Sequence, residues 1–184
     1  MSTTNNLPAP GTWLIDQSHS SVEFVVRHMM VSKVKGRFAE FSGTITVAED
    51  PAQSKVEATI ATASIDTRDE KRDEHLRGAD FFDSDTNKEI TFVSTGVVAN
   101  GDSYTLNGDL TLKGVTRPVS LDLSFNGIGT NPWGAEVAGF EASTEISRKD
   151  FGLEWNVALE TGGVLVGDKI TINLDIEATK AAAE

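Results

Sequence analysis

At 184 residues, with 28 acidic against 16 basic side chains and a formal charge of −12, the chain projects a field that repels nucleic-acid backbones. Its length suits one domain with one core. The absence of cysteine removes disulfide frameworks, thiolate metal sites, iron–sulfur clusters and cysteine nucleophiles together.

The opening segment, MSTTNNLPAPG, lacks the basic start and apolar run of a secretory signal, and no stretch reaches the roughly 18 apolar residues that span a bilayer. These features predict a cytoplasmic protein without stable membrane insertion. No polybasic run is visible, so any contact with a bilayer is expected to be apolar and transient. Residues 1–11 and 180–184 read as flexible tails around a single domain at 12–179.

Within that domain, period-two alternation predicts a succession of half-buried strands. Val22, Phe24, Val26 and His28 share one face. Phe41, Gly43, Ile45 and Val47 follow, then Val56, Ala58 and Ile60, then Ile90 and Phe92. Leu106, Gly108, Leu110 and Leu112 form the next apolar row, and Val119, Leu121, Leu123 and Phe125 the one after. The last rows are Ala138, Phe140, Ala142, Thr144 and Ile146, and Ile170, Ile172, Leu174 and Ile176. Turn residues separate them at 48–52, 100–102, 113–114 and 126–132, so neighbouring strands are hairpin-connected and antiparallel. Roughly eight such strands form a sandwich or close into a barrel.

One stretch departs from the alternation. Residues 67–78 have acids at their start, basic residues at their end and Gly78 as a stop, which predicts a short helix. It is too polar for a core helix and is expected to lie across a barrel end, with Phe81 and Phe82 tucked beneath it. A second short helix or loop is expected near Asn156–Glu160.

Small residues on the inward face, Gly43, Ala58, Gly96, Gly108, Gly139 and Ala142, either leave a lumen unfilled or mark bulges and corners. Alternation alone does not choose between these. The expected lumen residues are Val22, Phe24, Val26, His28, Phe41, Ile45, Ile60, Phe81, Phe82, Ile90, Phe92, Leu106, Leu110, Leu112, Val119, Leu121, Leu123, Phe140, Ile172 and Leu174. Arg72 and Arg77 stand in the helix as candidate contacts for a polar head, against the plainer reading of exposed charge pairs.

Catalytic chemistry finds little support. His19 follows Asp16 and Ser18 in a turn whose side chains suit backbone capping, His28 ends a strand, and His75 lies at a helix end. Three scattered histidines make no metal motif, and no G-x-S-x-G elbow or phosphate loop occurs. No metal, cofactor or catalytic residue is expected.

Several ordered segments carry a family resemblance. They are Trp13-Leu14-Ile15-Asp16-Gln17-Ser18-His19-Ser20, Phe24-Val25-Val26-Arg27-His28-Met29, Gly36-Arg37-Phe38, Ser64-Ile65-Asp66-Thr67 and Arg72-Asp73-Glu74-His75-Leu76. Asp80-Phe81-Phe82-Asp83, Ile90-Thr91-Phe92-Val93-Ser94, the run from Gly108 to Val119, and Arg148-Lys149-Asp150-Phe151-Gly152 continue it. Over residues 12–178 the chain resembles the YceI-like family of lipid and polyisoprenoid-binding proteins. The resemblance implies an eight-stranded, lipocalin-like antiparallel barrel with a long isoprenoid tail in the lumen and a quinone or pyrophosphate head nearer the mouth. It brings no catalytic residues and no cofactor, and it makes a homodimer reasonable. Thr86-Asn87-Lys88-Glu89 departs from the pattern, which usually carries a Tyr-Pro pair there. A carrier or sequestering protein is therefore expected. The alternatives are an enzyme acting on such a lipid, resting on His19, His28 and a polar mouth, and a stress-response module with a filled barrel.

Overall fold

The apolar rows become eleven strand segments in one antiparallel sheet, in a computed structural model that describes residues 7–182. The segments are β1 (Gly11–Ile15), β2 (Ser21–His28), β3 (Ser32–Phe38), β4 (Phe41–Val47), β5 (Lys55–Ala61) and β6 (Ile65–Asp66), followed by β7 (Glu89–Asn100), β8 (Ser103–Leu112), β9 (Val115–Thr130), β10 (Glu136–Ser147) and β11 (Val166–Lys180). Eight of them close a barrel in the order β1-β4-β5-β7-β8-β9-β10-β11, with β11 pairing back onto β1. The other three prolong strands of that ring. β11 pairs with β1 at Ala178–Lys180 and with β2 from Asp175 to Val166, so β1 and β2 are one long strand broken at residues 16–20. The same register carries β4 into β3 and β5 into β6. The expected eight-stranded antiparallel barrel is thus correct, built from five unbroken strands and three broken ones.

Local side-chain chemistry explains the breaks. Asp16 accepts hydrogen bonds from the Ser18 backbone N–H at 2.9 Å and the Ser18 hydroxyl at 2.6 Å, which winds residues 17–19 into a single 3-10 turn. Ser20 Oγ then accepts from the Glu177 N–H at 2.9 Å, stitching the break to β11. At the β5–β6 break, buried Thr62 donates to the Asn87 carbonyl at 2.7 Å, so part of the segment that departs from the family pattern serves as an anchor.

The helix α1 occupies Glu70–Arg77, shorter than the expected 67–78. Arg68 adopts a left-handed backbone, φ 64°, that a helix excludes, and Asp69 supplies the cap by accepting from Arg72 N–H at 3.0 Å. No helix forms at Asn156–Glu160; the chain there makes a loop with an isolated bridge between Ala158 and Val164, and a 3-10 turn comes earlier at Arg148–Phe151. The expected break at 126–132 is also smaller. β9 runs on to Thr130 because Asn126 is absorbed as a bulge opposite Gly139 and Phe140, with Gly127 at φ 118°. Gly96 and Gly139 thus sit at irregularities rather than opening the lumen. The tail residues 1–6 and 183–184 lie outside the described chain. Packing extends beyond 12–179, since Leu7, Pro8 and Pro10 face the interior and Lys180 pairs with Trp13.

Two apolar clusters hold the wall: one runs along most of the barrel, through Phe92, Leu106, Leu110 and Leu121 to Phe151, and the other sits at one end. Trp13, 1 % exposed, packs with Ile45, Ala138 and Ala178 where the two alanines leave room for its indole, and its Nε1 donates to the Ala9 carbonyl at 2.9 Å. At the opposite end the His75 ring stands edge-on to Phe81 and Trp155, with centroids 5.1 and 4.7 Å away.

Candidate functional site

The interior encloses a cavity of about 530 Å³, within the roughly 300–1,000 Å³ that small-molecule sites occupy. Its lining runs from Leu7, Pro8 and Pro10 at one end to Leu76, Phe82 and Leu153 at the other. With 12 residues in β7, a rise of about 3.3 Å per residue and a tilt near 40°, the wall stands roughly 30 Å tall. The site is therefore long, narrow and apolar, a shape that fits an extended chain.

Two glycines help keep the lumen open. Gly36 lies opposite Phe24 in the β2–β3 register, and a side chain there would collide with the Phe24 ring. At Gly108 a side chain would collide with the Phe92 ring and come within 2.8 Å of the Val93 carbonyl oxygen. Each phenyl ring therefore lies back over a glycine, against the wall, instead of projecting across the barrel.

All the expected lumen residues line this cavity except His28. Val22, Phe24, Val26, Phe41, Ile45 and Ile60 come from the broken half of the barrel; Ile90, Phe92, Leu106, Leu110, Leu112, Val119, Leu121, Leu123, Phe140, Ile172 and Leu174 come from the continuous half. Phe81 and Phe82 close in from beyond α1, as expected. His28 shares the phase of Val26 but is the last residue of β2, where β11 shifts register between Ile170 and Val166.

Arg72 and Arg77 are absent from the lining. Arg72 donates to the hydroxyl and carbonyl of Thr67, both at 2.7 Å, and Arg77 donates to the carbonyls of Ala63 and Ile65 at 3.0 and 3.3 Å. Their guanidinium groups fasten α1 to the chain that precedes it.

The cation that does line the cavity is Arg148, 3 % exposed. It donates to the carbonyls of Leu153 at 2.7 Å, Trp155 at 2.9 Å, Gly167 at 2.9 Å and Val166 at 3.3 Å. Burial lowers its pKa and the Asp168 carboxylate partly restores it, which leaves the guanidinium charged. It is the one deeply buried charge in the lining among the described residues. A legible signal preceded it: Arg148 continues the inward phase of Thr144 and Ile146.

None of the three histidines lines the cavity, and they stand apart from one another. His19 lies on the outer surface with Nδ1 2.8 Å from Asp16 Oδ2, and that carboxylate raises its pKa. Asp16 is correspondingly held at about 2, first by the Ser18 hydroxyl and then by His19. Folding also brings Glu177 up, placing ligand-type atoms of Asp16, His19 and Glu177 within 4.8 Å of one another, a grouping that sequence spacing did not show. The Asp16 oxygens are already engaged by Ser18 and His19, so this cluster pins the β1–β2 break. His75 Nε2 pairs with Asp80 at 2.9 Å.

A closed antiparallel barrel of eight strands around a long apolar lumen defines a lipocalin-like protein. Residues 13–178 match the YceI-like domain, and the chain belongs to that family. A UPF0312 protein of Staphylococcus epidermidis is 42% identical over 164 residues, covering 88% of this chain and 94% of that one. The crystal structure of BcnA from Burkholderia cenocepacia superposes with a TM-score of 0.77 at 27% identity, over 90% of this chain and 99% of its own. A polyisoprenoid binding domain from Saccharophagus degradans shares the fold with a TM-score of 0.71 at 16% identity, over 94% of this chain and 100% of its own.

Proposed function

We propose that this protein holds a long-chain apolar lipid, most naturally a polyisoprenoid with a quinone or prenyl pyrophosphate head, in the barrel lumen for transport, storage or sequestration. The observation that carries the reading is the cavity of about 530 Å³, walled by aliphatic and aromatic side chains along the barrel. Each methylene moved from water into such a lining contributes about 0.8 kcal/mol, so several isoprene units bind without a charged anchor. The name given to the Saccharophagus degradans domain supports the ligand class. Arg148 is the cation available to an oxygen-bearing head on this reading, since it lines the lumen and Arg72 and Arg77 do not; four of its five N–H groups are bonded to backbone carbonyls, which leaves one Nη2 N–H to offer. Carrier is favoured over catalyst because His19 and His28, on which a catalytic reading rests, lie outside the lining.

The test is to purify the protein without detergent, extract it with organic solvent and identify the extract by mass spectrometry. A long-chain isoprenoid is expected. Protein that is empty, and that also takes up no long-chain isoprenoid when offered one, would overturn the proposal.

A further inference from the structure

We infer that the turn joining β2 to β3 docks this end of the barrel on an anionic lipid bilayer. The turn places Met29, Met30 and Val31 in solvent at 44%, 63% and 80% exposure. Its Val31 N–H closes on the His28 carbonyl at 3.2 Å, and Met29 and Met30 both have left-handed backbones, φ 51° and 62°. The loop is three residues long, between the paired His28 and Ser32, and its two left-handed positions suit Asn and Gly, which are polar or small and tolerate positive φ. Two methionines there carry backbone strain and expose apolar surface, although Met30 also rests its sulfur on Gly163. Across from them the loop between β10 and β11 exposes Val157 and Val164, and Gly163 lies against Met30.

Charge identifies the partner. Residues 27–37 contain Arg27, Lys33, Lys35 and Arg37 and no acid, in a chain whose net charge is −12. Hairpin pairing sets Arg27 directly opposite Lys33, a like-charge pair that disfavours the sheet. Arg37 is neutralised by Asp66, but among the described residues no carboxylate pairs with Arg27, Lys33 or Lys35. β3 meets β6 only at Arg37 and Phe38, so lysines on its free edge have a use in blocking edge pairing. Edge protection accounts for neither Arg27, on the inner strand, nor the apolar turn. The basic residues are too dispersed in sequence to read as a patch; the hairpin gathers them.

Three side chains on a turn are far too few for a protein interface of about 800 Å² per partner, but they suffice as a wedge among lipid headgroups. The wedge also stands beside the cavity, since Val166, which lines it, pairs with His28 at the foot of the turn. At the opposite end the exposed Trp133 sits in a segment, 126–136, with no basic residue, so the acidic barrel orients with the β2–β3 turn toward a negative surface. Docking does not depend on what the lumen holds.

The absence of native cysteine allows an environment-sensitive fluorophore to be placed at Val31→Cys, with Asp102→Cys, on the β7–β8 turn at the far end, as the control. Phosphatidylcholine vesicles containing phosphatidylglycerol should blue-shift and brighten the label at position 31, while pure phosphatidylcholine and high salt should not. The label at 102 should stay unchanged. Arg27→Glu and Lys33→Glu should each weaken vesicle binding by at least about fivefold, the loss expected per basic residue near an anionic surface. Met30→Asp should remove the shift of the position-31 label while leaving the circular dichroism spectrum intact. An unmoved label at 31, equal shifts at 31 and 102, equal shifts on neutral and anionic vesicles, or charge reversals that leave binding within twofold would each overturn the inference.

Discussion

Gly108→Ala tests whether the glycine seats keep the lumen open. The added methyl carbon meets the Phe92 ring and lies within 2.8 Å of the Val93 carbonyl oxygen, which belongs to a paired strand and cannot retreat. The ring must therefore leave the wall and swing into the lumen. Overpacking of this kind costs about 1–3 kcal/mol, while replacing glycine by alanine within a strand returns about 0.5–1 kcal/mol, for a net loss between about 0 and 2.5 kcal/mol. The displaced ring excludes about two to three methylenes of a bound chain, about 2 kcal/mol of burial and a roughly thirtyfold weaker affinity. Gly96→Ala is the matched control, because nothing lies within 4 Å of its added carbon. Urea unfolding of the protein and displacement of a fluorescent prenyl probe read the two effects separately. If Gly108→Ala binds the probe like the parent, or Gly96→Ala weakens it equally, the glycine seats do not govern the lumen.

Leu121→Trp enlarges a lining residue in the middle of the barrel; it should abolish binding of a prenyl probe while changing urea stability by less than about 1 kcal/mol, whereas a filled core would lose about 1–3 kcal/mol to overpacking. Arg148→Met removes the donor from the carbonyls of Leu153, Trp155, Val166 and Gly167. At about 1 kcal/mol for each it should cost about 4 kcal/mol in chemical unfolding, with hydrogen exchange rising first over residues 153–167. The Asp16–His19 pair acts in a defined pH window. The raised His19 pKa contributes stability below its ordinary 6.5 that fades as pH rises through the raised value, and the Asp16 contribution, present above 3.8, is lost as pH falls through about 2. An NMR titration of His19 should show its pKa falling back toward 6.5 in Asp16→Asn. Saturating a delipidated sample with prenyl lipid to about 100 times its Kd should raise unfolding free energy by about 2.7 kcal/mol, and an unmoved unfolding curve would contradict lumen binding.

The inward rows were legible because a two-residue period with one apolar face has a single acceptable phase, so Leu106 and Leu110 can point only one way. That logic fails where the wall ends. His28 and Arg148 both continue an inward phase by one step, yet Arg148 reaches the lining and His28 does not, because β11 shifts register beside His28. Nothing within a few residues of either position reports that shift. The two helix arginines misled for a related reason. A guanidinium on a polar helix reads as free, but its acceptors here are carbonyls of Thr67, Ala63 and Ile65, exposed for pairing only because β6 is two residues long. The bulge at Asn126 hid in the same way, since Asn-Gly followed by Gly and Asn-Pro has the composition of a loop, and only pairing with β10 makes it sheet.

The open lumen explains why so much of this chain is spent on its two ends. A lumen of about 530 Å³ deprives the side chains that line it of the contacts a filled core would supply. The lining side chains still pack on one another along the wall, and further support is visible at the ends. The backbone ladder closes fully through β1 and β11, Trp13 fills one end against two alanines, and His75, Phe81, Trp155 and the Arg148 clamp fill the other. On the proposed reading, filling the middle is left to the apolar chain that enters, and folding stability and lipid occupancy are then one linked quantity.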